Sequence, residues 1–301
     1  MEASRATPAA LPAAGGVRQV AADLLALTKP KVQSLLLLTT VTTMLVAGSP
    51  SIWLIVATCI GGYLSAGGAG AVNHWYDRDI DAQMARTATR PIPAGRLAPA
   101  TALWFGIALA LLGFAWLTLT SNVLAASLSF SGFLGYTLLY TMWLKRRTWQ
   151  NIVWGGAAGA VPPLVGWAAV TGGLSGLPIY LFAIVFFWTP PHFWALSLLM
   201  KDEYAKVNVP MLPVVRGEDE TRRQILLYSV LLYAVTQLPF CGGGGLDAIY
   251  LVASLVLGVV FIGLAVALKR DADRRAALRL YLFSLLYLAL LFVAMVADVK
   301  L

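Results

Sequence analysis

"AVNHWYDRDIDAQMARTATRPIPAG", residues 71–95, interrupts an otherwise apolar chain. It holds three aspartates within five residues, Asp77, Asp79 and Asp81, and four arginines lie within it or directly after it. The sequence that follows is strongly apolar, as in "LWFGIALALLGFAWLTLT" at 103–120. Ionisable groups beside membrane-spanning segments are functional candidates by default, because placing them there is costly.

The composition predicts an integral membrane protein. Of 301 residues, 59% are hydrophobic and only 12% are charged, and the mean hydropathy is +0.76. Soluble domains carry roughly 25% charged residues, so a soluble class is excluded. The net charge of +8 is explained by basic cytoplasmic loops, and no nucleic-acid partner is expected.

Nine segments are long and apolar enough to span a bilayer, which takes roughly 20 residues. They are 32–48, 51–72, 99–120, 122–144, 150–170, 179–200, 224–240, 247–268 and 278–297. With nine spans, 21 of the 22 Lys and Arg residues fall on one side. The positive-inside rule then puts the N-terminus and the basic loops in the cytoplasm and the C-terminus outside. Residues 1–31 are expected to be a disordered polar tail, and 32–301 a single transmembrane domain.

Asn73, Asp77 and Asp81 recur every four residues, which on a helix places three oxygen ligands on one stripe. Carboxylates at this spacing repel each other unless a cation lies between them. Mg²⁺ binds a few carboxylates together with phosphate oxygens and water, and the arginines nearby, Arg78, Arg86, Arg90 and Arg96, suit phosphate. The alternative is a solvated helix end whose acids pair with these arginines.

A second acidic segment, "MKDEYAKVNVPMLPVV" at 200–215, closes the sixth span as residues 73–81 close the second. Four helices separate the two segments. Their positions suggest a duplicated four-helix unit, although no residue-level repeat accompanies it.

"NHWYDRDID" with "RTATRPIPAG" resembles the first aspartate-rich motif of the UbiA superfamily of membrane prenyltransferases. Four further stretches are similar to the heme O synthase branch: "LTKPKV" (27–32), "YTMWLKRRTWQNIVWGGAAGAVPPLVGW" (140–167), "WTPPHFWALSL" (188–198) and "VPMLPVV" (209–215). One departure is that the usual second DxxxD is absent, since Lys206 follows Asp202 by four residues and Val207 follows Glu203. Asp202 or Glu203 is then the remaining acid.

The resemblance implies an all-α, UbiA-type bundle of about nine transmembrane helices in the inner (plasma) membrane. It implies transfer of the farnesyl group of farnesyl diphosphate to a vinyl group of heme B, a substrate rather than a cofactor, with Mg²⁺ as the cofactor. A downstream heme-modifying membrane enzyme would take the product. The implied catalytic residues are Asn73, Asp77, Asp81, Asp202 and Glu203, of which the first three hold Mg²⁺. The implied diphosphate ligands are Arg78, Arg86, Arg90, Lys145 and Arg146, and the implied heme and prenyl pocket is Trp188, Pro191, His192, Phe193, Trp194 and Tyr204.

Aromatic side chains could steady the allylic cation that forms when diphosphate leaves, although tyrosine and tryptophan also line membrane interfaces without such a role. The candidates are Tyr76, Tyr136, Tyr140, Trp188, Phe193, Trp194 and Tyr204. His192 follows two prolines that free backbone carbonyls. One of those carbonyls could set its tautomer and turn the other nitrogen to heme iron, or His192 could simply be packed. His74 is a weaker candidate.

Two rival functions are weighed against this one. The first is prenylation of an aromatic quinone precursor, which "WTPPHFW" and the missing second DxxxD disfavour. The second is cation transport, which favours ionisable residues in the middle of spans, whereas the acids here gather at helix ends.

Overall fold

The structure, a computed structural model, describes residues 16–301 and is built from helices over that range, with no strand. Within these residues, nine helical segments are long and apolar enough to cross a membrane. The predicted nine-span helical architecture is therefore confirmed. The first fifteen residues of the predicted tail lie outside the described part of the chain.

The helices follow in the order α1 (Val17–Leu27), α2 (Pro30–Ala47), α3 (Ile52–Tyr76), α4 (Arg78–Asp81), α5 (Pro99–Thr120), α6 (Val123–Leu134), a π-helix (Gly135–Leu144), α7 (Asn151–Gly159), α8 (Pro162–Thr171), α9 (Gly176–Leu199), α10 (Lys201–Lys206), α11 (Leu212–Val215), α12 (Gly217–Val235), α13 (Leu238–Cys241), α14 (Ala248–Asp271) and α15 (Arg274–Lys300). Three spans are composite: α6 with the π-helix, α7 with α8, and α12 with α13. The helix of the seventh span begins at Gly217 rather than near 224. Its first turns are charged, and there Arg222 pairs with Glu218 and Asp219.

The spans form a closed ring in which α15 packs against both α9 and α2. The tightest contact in the ring joins α3 to α5 through glycines. A methyl group on Gly68 would lie 2.5 Å from the carbonyl oxygen of Gly106, and one on Gly113 would lie 2.9 Å from that of Gly61. Small residues let helix backbones approach closely in membranes, so these glycines fix the position of α3, whose end carries the acidic stretch.

Residues 17–27 form helix α1, so the predicted disordered tail is wrong over this range. An isolated helix of eleven residues is marginal in water, and tertiary contacts stabilise this one. Val20, Leu24 and Leu27 pack in a cluster with the acidic stretch and α5, which contribute Ala71, Trp75, Ile92, Leu97, Ala102 and Phe105. Asp23 on the same helix pairs with Arg96.

The fourth span ends in a ten-residue π-helix. Nine residues make about two and a half turns of α-helix, which would put Lys145 opposite Tyr136. The wider π-turns bring Tyr136, Tyr140 and Lys145 to the same side. Single π-turns inside α-helices are often found at functional sites.

Candidate active site

Helical backbone hydrogen bonds continue through the acidic stretch beyond the end of α3. The Asp77 amide donates to the Asn73 carbonyl at 2.9 Å, and the Asp81 amide donates to the Asp77 carbonyl at 2.8 Å. Asn73, Asp77 and Asp81 therefore lie one turn apart across the junction of α3 and α4. All three are buried, with at most 3% of their surface exposed.

Basic side chains from the loop after α4 and from the end of the fourth span contact these carboxylates. Lys145, directly after the π-helix, forms an ion pair with Asp77. Arg146 lies 3.4 Å from the same carboxylate and 2.6 Å from that of Asp79. Arg90 donates to Asp81 at 2.6 Å. The acids and bases thus pair, as the alternative interpretation expected, but in a buried cluster rather than at a solvated helix end.

Lys29 belongs to this cluster, although the sequence analysis did not select it. Its Nζ donates to Oδ1 of Asn73 at 2.6 Å and to the Tyr136 hydroxyl at 3.4 Å. Lys29 has φ 54° and ψ 58°, a left-handed conformation that costs a non-glycine residue roughly 1–3 kcal/mol. Pro30 disfavours the right-handed helical conformation at the residue before it, so α1 and α2 meet at an elbow that directs Lys29 inward.

The electrostatics of the cluster favour an anionic ligand. Arg90, Lys145 and Arg146 pair with the three aspartates of the stretch, and Lys29 lies beside them on Asn73, so four basic side chains converge here. Burial, together with the charges of Arg90 and Lys145, lowers the pKa of Lys29 to about 7. An added anion would relieve this mutual repulsion among buried cations.

The donor set fits a hard divalent cation whose other coordination positions are filled by substrate phosphate and water. Within residues 16–301, no three His, Cys, Asp or Glu side chains converge on one point. The stretch therefore offers two carboxylates, Asp77 and Asp81, and the neutral oxygen of Asn73. Mg²⁺ is commonly held in this way, by one or two carboxylates with substrate phosphate and water.

The structure brings some predicted diphosphate ligands into the cluster and not others. Lys145, Arg146 and Arg90 lie in it. Arg78 is exposed and turns to the opposite side, where it donates to the Trp75 carbonyl at 2.7 Å. Arg86 is also exposed, but it is close enough for its charge to lower the pKa of Tyr204.

Tyr204 links the two acidic segments. Burial raises the pKa of its phenol, the nearby charges of Asp77 and Glu203 raise it further, and those of Arg86 and Arg90 lower it. The second segment, on α10, thus lies within electrostatic range of the first. Its two acids differ: Asp202 is exposed, whereas Oε2 of Glu203 is buried without a hydrogen-bond partner among residues 16–301. Glu203 is therefore the acid that faces inward.

His192 lies between two aromatic rings on α9 and α15. Its ring stacks on Trp188 at 4.3 Å and on Tyr281 at 4.9 Å between centroids. Its Nδ1 lies 2.6 Å from the Ser284 hydroxyl, and that hydroxyl donates to the Tyr281 carbonyl at 2.6 Å. A hydroxyl has one proton to donate. When that proton goes to the Tyr281 carbonyl, Nδ1–H of His192 donates to Ser284 and Nε2 keeps the lone pair. The hydrogen-bond partner of Nδ1 is thus Ser284 rather than a proline-freed carbonyl.

The other predicted pocket residues divide between core and surface. Pro191 is buried beside His192. Trp194 is 1% exposed and packs in the main core, edge-on to Tyr228. Phe193 is 40% exposed and faces outward. Tyr281 and Ser284 were missed because α15 reads as a plain apolar span in the sequence.

A family model described as the UbiA prenyltransferase family matches residues 36–293. A Symbiobacterium thermophilum relative named protoheme IX farnesyltransferase is 53% identical over 93% of this chain and 95% of its own length. A Chloroflexus aurantiacus relative of the same name is 54% identical over 93% of this chain but only 48% of its own length. The chain thus spans about half the length of the Chloroflexus relative.

The fold has a counterpart among solved structures. A UbiA homologue from Archaeoglobus fulgidus, solved with DMAPP and Mg²⁺, superposes with a TM-score of 0.68 at 15% identity, over 91% of this chain and 99% of that one. At this identity the likeness bears on the fold alone, whereas the family model covers most of the chain. The chain therefore belongs to the UbiA prenyltransferase family.

Proposed function

We propose that this chain transfers the farnesyl group of farnesyl diphosphate to a vinyl group of heme B, giving heme O and diphosphate. Similarity to relatives named protoheme IX farnesyltransferase supports the choice of substrates. The structural observation that carries the proposal is the buried cluster in which Asn73, Asp77 and Asp81 meet basic side chains from three segments. Such a cluster suits a diphosphate with a divalent metal ion.

The basic residues of the cluster would bind the diphosphate and stabilise it as it leaves. Arg90, Lys145 and Arg146 are positioned to exchange carboxylate partners for phosphate oxygens, and Lys29 to exchange the amide oxygen of Asn73 for one. Arginine suits this because its planar fork matches phosphate geometry. Mg²⁺, held by Asn73, Asp77 and Asp81 as in the proposed donor set, would supply Lewis-acid neutralisation of the charge on the leaving group. We assign Glu203, rather than Asp202, to any second metal.

The reaction forms one carbon–carbon bond and breaks one carbon–oxygen bond. The diphosphate leaves with the electron pair of the C1–O bond, and the vinyl group of heme B supplies the pair for the new bond to C1. Water then adds to the resulting porphyrin-side cation and loses a proton, giving a hydroxyethylfarnesyl group. Tyr136 and Tyr140, whose rings lie 5.3 Å apart beside Lys145, can steady the allylic cation through their faces.

The heme would bind near His192. His192 lies seven residues before the end of α9, which is about 10 Å along the helix from the second acidic segment. The aromatic rings of Trp188 and Tyr281 and the lone pair on Nε2 provide an apolar, planar environment that suits a porphyrin. We include Pro191 in the wall of this pocket, and we place Trp194 in its supporting core.

The protein crosses a membrane many times, and we propose that this is the plasma membrane. The basic connections would then face the cytoplasm with the active site, and the C-terminus would lie outside. Heme B and farnesyl diphosphate are both amphipathic, so entry from the lipid is reasonable. The product would pass to a heme-modifying enzyme in the same membrane.

The test is product formation by the purified chain in lipid nanodiscs with farnesyl diphosphate, heme B and Mg²⁺. We expect heme O by mass spectrometry with equimolar diphosphate, and loss of both on chelation of Mg²⁺. An aromatic quinone precursor in place of heme B should give no product. Prenylation of that precursor, or cation flux across a sealed vesicle without any prenyl product, would refute the proposal in favour of a rival function.

A further inference from the structure

An ion pair outside the cluster joins α1 to the loop between α4 and α5. Both carboxylate oxygens of Asp23 accept from Nε of Arg96, at 3.0 and 3.1 Å. The Asp23 side chain is only 5% exposed, although it lies on a short helix that is already held by apolar contacts. Burying a carboxylate is costly even when it is paired, so packing alone does not account for an acid here.

Arg96 also contacts the loop segment that carries Arg90. Its Nη2 donates to the carbonyl oxygen of Thr89 at 3.2 Å, and Arg90 is the next residue. Three residues before Arg90, the hydroxyl of Thr87 donates to the backbone carbonyl of Asp81 at 2.9 Å. The loop is thus held at Thr87 and at Thr89, and Arg90 directly follows Thr89.

We propose that Asp23 is a positioning residue for diphosphate binding. By holding the Arg96 guanidinium, Asp23 fixes the Thr89 carbonyl and so orients Arg90 towards the cluster. Gln19, one turn earlier on α1, donates to the same carboxylate at 3.1 Å and completes its hydrogen bonding. The inference rests on the proposed function in one respect, which is that Arg90 contacts the diphosphate.

The test is equilibrium binding of farnesyl diphosphate with Mg²⁺, without heme, to the full chain in nanodiscs. Asp23→Asn keeps the shape of the side chain and removes its charge. We expect it to weaken binding by about five-fold or more, within the range measured for coupled network residues, and to leave heme B affinity unchanged. In an Arg90→Ala background, Asp23→Asn should have no further effect. Asp273→Asn, at the N-cap of α15, is the control for loss of one acidic charge.

The outcomes separate this inference from the proposed function. If Asp23→Asn binds within two-fold of the parent, or weakens binding equally with and without Arg90, then Asp23 does not position Arg90. If the variant does not fold, Arg96→Lys replaces it, since lysine can pair with Asp23 but lacks the fork that also reaches Thr89. A parent that binds farnesyl diphosphate but makes no heme O refutes the proposed function alone, and a parent that does not bind it refutes both.

Discussion

Ser284 on α15 is the hydrogen-bond partner of Nδ1 of His192 on α9. The Ser284 hydroxyl and Nδ1 lie 2.6 Å apart, and the same hydroxyl lies 2.6 Å from the Tyr281 carbonyl oxygen, to which it can donate. The carbonyl oxygen of Ser284 also accepts from the Trp188 indole at 2.7 Å. One residue therefore orients both the imidazole and the ring stacked on it, across two helices that are far apart in sequence.

Ser284→Ala should disturb heme binding without unfolding the protein. Without the Ser284 hydroxyl, nothing holds the proton of His192 on Nδ1. We therefore expect a change in the absorption spectrum of added heme B, in the same direction as for His192→Ala but smaller. Ser229→Ala is the matched control, because that buried hydroxyl bonds only to its own helix. If spectrum, heme affinity and rate in His192→Ala all equal those of the parent, His192 is only packing.

Asp77→Asn and Asp81→Asn should each lower turnover by more than ten-fold, or about 1.4 kcal/mol in the barrier. Each change keeps the shape but removes a charge that binds metal. Asp79→Asn is the comparison on the same turn, because Asp79 is 56% exposed and, among residues 16–301, pairs with Arg146 alone; its effect should be under about three-fold, as for other exposed pairs. Near-normal turnover of the first two variants at limiting Mg²⁺ contradicts the metal assignment.

Arg90→Ala and Arg78→Ala should differ sharply. Arg90 reaches the buried carboxylate of Asp81 and is expected to contact diphosphate, so its loss should raise the KM for farnesyl diphosphate about ten-fold or more, the usual scale for a charged hydrogen bond. Arg78 turns to the Trp75 carbonyl, and its loss should leave that KM near the parent value. Steady-state kinetics at fixed heme B measures both, and equal effects would mean that Arg78 moves into the site on binding.

Glu203→Gln should affect activity more than Asp202→Asn. One Glu203 oxygen is buried without a partner among residues 16–301, a costly arrangement that a bound cation would offset. Asp202 is exposed and should tolerate the change. The Mg²⁺ dependence of turnover is the measurement: the curve should shift to higher Mg²⁺ for Glu203→Gln only, and a shift for Asp202→Asn instead would exchange the two roles.

Reporters should place the C-terminus and the loop after the fourth span on opposite sides of the membrane, because five spans separate them. A fusion after Leu301 is expected outside, and an insertion beside Arg147 inside, because nearly all basic residues share the side of Arg147. Labelling of each reporter by a membrane-impermeant reagent in whole cells measures which side it is on. Detection of both on one side would contradict the odd number of spans.

Hydropathy predicted the nine spans because long apolar segments leave the chain few alternatives in a bilayer. The four-residue spacing also identified Asn73, Asp77 and Asp81, which lie about one helical turn apart. Helix α1 was not predicted, because its stability comes from contacts with Ile92 and Leu97, which lie far along the chain.

The remaining site residues depend on tertiary contacts that a linear pattern does not contain. Lys29 reaches Asn73 only because of its left-handed elbow, and the sequence shows no more than a lysine before Pro30. Ser284 meets His192 across 92 positions. Arg78 was selected by proximity in sequence, yet its direction is decided locally by Trp75.

The π-helix at Gly135–Leu144 places stability and activity in opposition within one span. Helices of this type are rare in proteins and occur mostly as single turns inside α-helices. A regular α-helix over the same residues would put Lys145 on the side opposite Tyr136 and so turn it away from Asp77. Under the proposed function, the fourth span is thus a place where the geometry that folding alone favours and the geometry that diphosphate binding needs are different.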